Sequence, residues 1–141
     1  MATDPLHRSA SIERTGPTQY SYTNDRGGEL IVSTADGRGF TPVELLLVAI
    51  AGCTAIDVDI VTSRRAEPQS FAVDVDATKV RDEQGNHLTD VEVTFRVRFP
   101  EGEAGDAARA LLPDLVRKSH DRLCTVGRTV EIPTPIATHI K

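Results

Sequence analysis

The stretch TPVELLLVAIAGCTAIDV, residues 41–58, decides how the rest of the chain is read. Thr41 followed three residues later by Glu44 is the capping-box pattern, and Pro42 between them suits the first helical position. From Leu45 to Ile56 no charge interrupts the run, and apolar residues fall on nearly every side of the predicted helix. Such a helix has to be enclosed on most of its faces. It is expected to end near Ser63–Arg65, where basic residues suit the negative end of the helix dipole. A thiol, Cys53, sits in the middle of it, and the chain has one other cysteine, Cys124.

Upstream, SIERTGPTQYSYTNDRGGELIVSTADGRGF (11–40) reads as short strands around a turn at Asn24–Gly28, with Tyr20, Tyr22, Leu30 and Val32 in the flanking strands. Downstream, SFAVDVDATKV (70–80) alternates, DEQGNHL (82–88) is a turn, and TDVEVTFRVRF (89–99) alternates again. This is a hairpin with Val91, Val93, Phe95, Val97 and Phe99 on its buried face. Gly105–Leu123 reads as a second helix with Ala108, Leu111, Leu112, Leu115 and Val116 as its apolar stripe. Pro113 predicts a kink or a break within it. Cys124 follows its end, and a last strand is expected over Thr129–Ile140, at an edge or with a bulge because of Pro133 and Pro135. The order predicts a single α+β domain over residues 1–141, with residues 1–10 loose. A small sheet and two helices cannot enclose an all-round apolar helix, but two copies can, so burial alone predicts a closed homodimer.

Composition narrows the function classes. Lys plus Arg number 16 and Asp plus Glu 21, for a net charge of −5, and the only basic cluster is Arg64-Arg65. That disfavours nucleic acid, as does the absence of Trp in a chain only 4% aromatic. The start MATDPLHRSA has no apolar segment of the secretory kind, and the uncharged run Leu45–Ile56 is short of the ~20 residues that cross a bilayer. The expectation is a soluble, cytoplasmic protein with no membrane partner. In that compartment two cysteines are free, metal-bound or redox-active rather than locked in a disulfide. Without CxxC spacing, and with four scattered histidines (His7, His87, His120 and His139), no metal or other cofactor is expected.

Taken alone, Cys53 reads as a small buried hydrophobe, since buried free thiols are common and inert. Glu44 has a plain role in the capping box. Nine helical residues separate the two, a rise of ~13 Å and half a turn about the axis, so one helix cannot bring them to one point. If they cooperate, Glu44 comes from a second copy.

At this point the sequence resembles a known family. GFTPVELLLVAIAGCTAIDV is similar to the central-helix motif of the OsmC/Ohr family, of the form P-x-E-L-x(3)-A-x(2)-G/A-C, with Pro42, Glu44, Leu45 and Cys53 in register. KSHDRLCTVGRTV (118–130) resembles the second family motif, in which a cysteine ends a later helix. The resemblance spans roughly residues 15 to 140 and looks nearest the broad OsmC-like branch. It implies β-sheets around a long central helix in an intertwined homodimer, and a thiol-dependent peroxidase acting on organic hydroperoxides. By the same resemblance Cys53 is the peroxidatic cysteine, oxidised to a sulfenic acid, and Cys124 the resolving cysteine that closes a disulfide with it. An external dithiol or a lipoylated protein restores the thiols. The family lowers the cysteine pKa with an arginine held by the glutamate that Glu44 matches, arriving from the other subunit. Here Arg14, Arg26 and Arg38 can fill that place. Arg38, in ADGRGF (35–40) beside the helix start, is the favoured one. Two other readings stand beside the peroxidase: a non-catalytic protein that holds a small apolar or acyl ligand at the dimer interface, and a redox-sensing module.

Overall fold

The computed structural model describes residues 4–141, which divide into two compact units, one up to Leu45 and the other Leu46–Lys141. The fold is α+β, with one long helix lying between two small sheets in chain order.

The first unit is an antiparallel sheet of β1 (Ser11–Gly16), β2 (Gln19–Thr23) and β3 (Glu29–Ser33), in the order β1-β2-β3. Tyr20 pairs with Arg14 and Val32, and Tyr22 with Ile12 and Leu30, as the alternation predicts. The Asn24–Gly28 turn forms because the Asn24 side chain accepts the backbone N–H groups of Arg26 at 3.0 Å and Gly28 at 2.9 Å. Gly27 takes φ +89°, open to glycine without strain. A side chain at Gly39 would place its Cβ 1.6 Å from the Ser33 carbonyl oxygen, so only glycine lets the chain pass there on its way to the helix.

Helix α1 runs Pro42–Thr62 and opens on the predicted capping box. Thr41 N–H donates to Glu44 Oε1 at 2.9 Å, and Glu44 N–H donates to Thr41 Oγ1 at 3.2 Å. Within its 21 residues only Ala51, Val58 and Thr62 are buried, while Val48, Ile56 and Ile60 are about half exposed or more. The enclosure the sequence demands is therefore not supplied by one chain. By length and apolarity alone α1 is also long enough to cross a membrane, because the helix continues past Asp57 and Asp59 instead of ending with the uncharged run.

The second unit also contains a hairpin, β4 (Ser70–Asp82) with β5 (Gly85–Arg98). Phe71, Val73 and Val75 pair with Val97, Phe95 and Val93, and the Phe71 and Phe95 rings meet edge to face at 6.2 Å. A register shift between Asp76 and Thr78 ends this face, and Val91 beyond it is exposed. Phe99, just past β5, is buried against the start of α2 (Glu103–Lys118), where a Cβ on Gly105 would lie 1.7 Å from the Pro100 carbonyl oxygen. Leu112, Pro113 and Val116 of α2 line an apolar groove with Val93, Phe95 and Val97.

Two expectations are corrected here. Helix α2 runs through Pro113 without a break, at the loss of one backbone hydrogen bond. The irregularity comes after Lys118, as a π-helical turn at Ser119–Leu123. The strand expected over Thr129–Ile140 is instead a short helix, α3 (Thr125–Glu131), followed by exposed chain without regular structure. The alternation RTVEI suits a strand, but Pro133 and Pro135 remove the amides a ladder needs. Cys124 caps a helix at the same point.

Candidate functional site

Cys53 and Cys124 come together in the second unit. Cys53 stands on the fourth turn of α1, half-buried, and Cys124 is 2% exposed at the junction of the π turn and α3. Both are free thiols. Cys124 is among the groups that act on the ionisation of Cys53, so the two thiols are neighbours. The first amides of α3 are divided between them. The backbone N–H of Gly127 donates to the Cys124 sulfur at 3.2 Å, and the Val126 amide lies near enough to Cys53 to act on its ionisation. Gly127 leaves little room for a larger residue, since a Cβ there would sit 3.3 Å from the Cys124 sulfur.

Burial pushes the Cys53 thiol above its ordinary pKa, and Cys124 beside it adds to this. The Val126 amide pulls the other way, while the proximity of Cys124 and, last, the charge of Asp57 raise the pKa further. All these groups belong to the same unit as Cys53, and no cation is among them.

Asp57 lies one helical turn beyond Cys53 on α1 and accepts a hydrogen bond from Ser119 Oγ at 2.7 Å. Ser119 is fully buried, and its backbone carbonyl accepts the Cys124 N–H at 2.8 Å. One residue thus holds α1 through its hydroxyl and Cys124 through its carbonyl. The next residue, His120, ties the π turn to the far end of α3: Nε2 meets Glu131 Oε1 at 2.7 Å, and Nδ1 meets Asp121 Oδ1 at 3.0 Å.

The bonds to Asp121 and then Glu131 hold the His120 pKa above 6.5. A raised folded-state pKa stabilises the fold fully below the unfolded value, and this contribution is lost as pH rises through the raised one. His120 is largely exposed, so the effect is roughly a few tenths of a kcal/mol. An NMR titration should find the His120 ring above 6.5, and Glu131→Gln should lower that midpoint. An unshifted midpoint in the native protein would show that the clamp does not form in solution.

The remaining predicted site residues have local partners. Glu44 is exposed, and its carboxyl is held below its usual pKa by the Thr41 backbone N–H first and the Thr41 hydroxyl second. Arg38 is exposed in a turn where its own N–H donates to Asp36 Oδ1 at 2.9 Å. Arg26 pairs with Asp25 at 3.3 Å, and Arg14 stands opposite Tyr20 in the sheet. Among the described residues no group of three His, Cys, Asp or Glu side chains is arranged to hold a metal ion.

Sequence reasoning did not find Asp57, Ser119 or the α3 amides. The spacing of Asp57, one turn after Cys53, was a usable signal for the first. Nothing local points to Ser119, whose role depends on a long-range hydrogen bond.

Comparisons with known proteins identify the family and the fold. An uncharacterized protein of Mycobacterium tuberculosis is 32% identical over 127 residues, covering 89% of this chain and 90% of its own length. A solved OsmC-like protein of unknown function from Vibrio cholerae superposes with a TM-score of 0.69 at 15% identity, covering 89% of this chain and 94% of its own. An organic hydroperoxide resistance protein from Elizabethkingia anophelis superposes with a TM-score of 0.56 at 16% identity, covering 92% and 91%. At these identities the two structures speak for the fold. The family model described as OsmC-like protein matches residues 35–139, a span that takes in the capped helix, both cysteines and the π turn between α2 and α3. A match over most of the chain, with a relative sharing about a third of its residues, makes this chain a member of the OsmC-like protein family.

Proposed function

We propose that the protein is a thiol-dependent peroxidase for organic hydroperoxides, working as a homodimer in the cytoplasm. The observation that carries this reading is the pair of free thiols brought into one neighbourhood from α1 and from the π-turn–α3 junction. The structural likeness to organic hydroperoxide resistance proteins from Elizabethkingia anophelis and Bacillus subtilis supports it.

In the proposed cycle the Cys53 thiolate attacks the distal peroxide oxygen. An S–O bond forms, the O–O bond breaks, and the departing alkoxide takes a proton and leaves as alcohol. Cys53 is then a sulfenic acid. The Cys124 thiolate attacks that sulfur, water leaves, and the disulfide closes. An external dithiol, or the lipoyl group of a partner protein, reduces it by two thiol–disulfide exchanges. Hydroperoxide consumption with a dithiol reductant, native against Cys53→Ser, tests the reading.

The raised Cys53 pKa requires an activating cation from outside the groups now around it. We assign this to Arg38, oriented by Glu44, both from the partner subunit. Helical spacing keeps Glu44 from its own Cys53. Glu44→Gln separates this role from capping. Gln also serves at the third position of a capping box, so stability should change by well under ~1 kcal/mol. If Glu44 orients the arginine, the rate of Cys53 oxidation should fall by ~10-fold or more and the thiol pKa should rise. An unchanged rate and pKa would reduce Glu44 to a helix cap.

The second reading, a non-catalytic protein holding an apolar or acyl ligand, is favoured by one observation. Burial above all, and Asp57 to a lesser degree, oppose ionisation of Cys53. A Cys53 pKa well above neutrality in the assembled dimer would bring this reading forward.

A further inference from the structure

We infer that Asp57 and Ser119 are positioning residues of the thiol pair, their hydrogen bond strapping the turn of α1 that carries Cys53 to the π turn that delivers Cys124. The inference rests on the assignment of Cys53 and Cys124 as the reacting pair. Four residues separate Cys53 from Asp57, so the two lie on one face of α1, a single turn apart. Ser119 opens the π turn and is fully buried. Its hydroxyl reaches Asp57 at 2.7 Å, and its carbonyl accepts the Cys124 N–H at 2.8 Å. A closed chain of contacts therefore runs from Cys53 along one turn of α1 to Asp57, through both polar groups of Ser119, and on to Cys124. π turns cluster at functional positions, and this one directs the Cys124 backbone at Ser119. A disulfide needs its two Cα atoms within ~7 Å, and the strap limits how far the two segments can move apart.

Asp57 has a second effect through its charge. The groups that act on Cys53 are Asp57 on α1, and Cys124 and the Val126 amide at the start of α3. Of the first two, Asp57 carries charge while both cysteines are thiols. Its charge adds, after burial and Cys124, to what keeps the Cys53 thiol protonated. One side chain thus favours the disulfide by position and restrains the free thiol by charge.

Two substitutions separate these effects. Asp57→Asn keeps an oxygen that accepts from Ser119 but removes the charge. Ser119→Ala removes the hydrogen bond but keeps the charge. The first readout is the pH profile of Cys53 alkylation by iodoacetamide, in a Cys124→Ser background. The second is the equilibrium in which the protein dithiol and glutathione disulfide give the protein disulfide and two glutathione thiols. Asp57→Asn should raise the alkylation rate at pH 7 while leaving the disulfide equilibrium within about twofold. Ser119→Ala should leave the alkylation profile in place and weaken the disulfide by ~10-fold. Should Ser119→Ala fail to fold, Asp57→Ala removes strap and charge together and should move both readouts. An unchanged alkylation profile in Asp57→Asn, or an unchanged disulfide equilibrium in both Ser119→Ala and Asp57→Ala, would overturn the inference. Neither readout uses a hydroperoxide, so a failed peroxidase assay leaves the strap standing, and a failed strap leaves the peroxidase assay to be judged alone.

Discussion

Cys53→Ser is expected to abolish hydroperoxide consumption, a fall of ~1,000-fold or more, because a serine hydroxyl in this setting offers no comparable nucleophile. Cys124→Ser should behave differently. Its Cys53 remains oxidisable, so one equivalent of peroxide should be consumed in a burst. With no resolving thiol the sulfenic acid then persists, and excess peroxide carries it to the sulfinic acid. In the native protein one equivalent should remove both free thiols and leave a Cys53–Cys124 disulfide within one chain, visible by peptide mass mapping. Cys53 and Cys124 are neighbours that act on each other's surroundings, so no large rearrangement is expected. Consumption that survives in Cys53→Ser would remove the peroxidase reading altogether. A disulfide found only between chains would leave Cys53 as the reacting thiol and take the resolving role from the Cys124 of the same chain.

Much of this was legible in the sequence because the signals were local. The capping box at Thr41 and Glu44 appears as two reciprocal hydrogen bonds, and the hairpin's alternating face appears as the Phe71, Val73 and Val75 pairs. The end of the chain was misread for an equally local reason. Arg128–Ile132 has strand-like alternation, but alternation cannot reveal that a cysteine side chain caps a helix three residues before Gly127. The break after Lys118, rather than at Pro113, was hidden because Ser119 is set by a partner 62 residues away. The arginine was the least legible part. An activating cation has no fixed spacing from Cys53, and the groups that set this thiol's ionisation within its own unit include none.

That missing cation and the uncovered helix lead to the same expectation. Val48, Ile56 and Ile60 on α1 are 47%, 62% and 50% exposed. Burying a side chain of this kind contributes ~1.5–3 kcal/mol, and a two-fold interface counts each one twice. Ile56→Asp should therefore act strongly. It would place two carboxylates in an apolar interface, each costing several kcal/mol unless paired, and every 1.4 kcal/mol weakens association tenfold. The dimer should weaken by ~1,000-fold or more. In a single chain Ile56 is already exposed, so the subunit itself should keep its helical circular dichroism. Light scattering at micromolar concentration should give twice the 15.3 kDa chain mass for the native protein and the single chain mass for the variant. Turnover should fall with the dimer, because the Arg38–Glu44 pair proposed to activate Cys53 arrives from the partner. A monomeric variant that consumes hydroperoxide at the native rate would refute the shared site while leaving the interface intact. A variant that remains a tight dimer would show that the exposed face of α1 is covered by something other than a second copy.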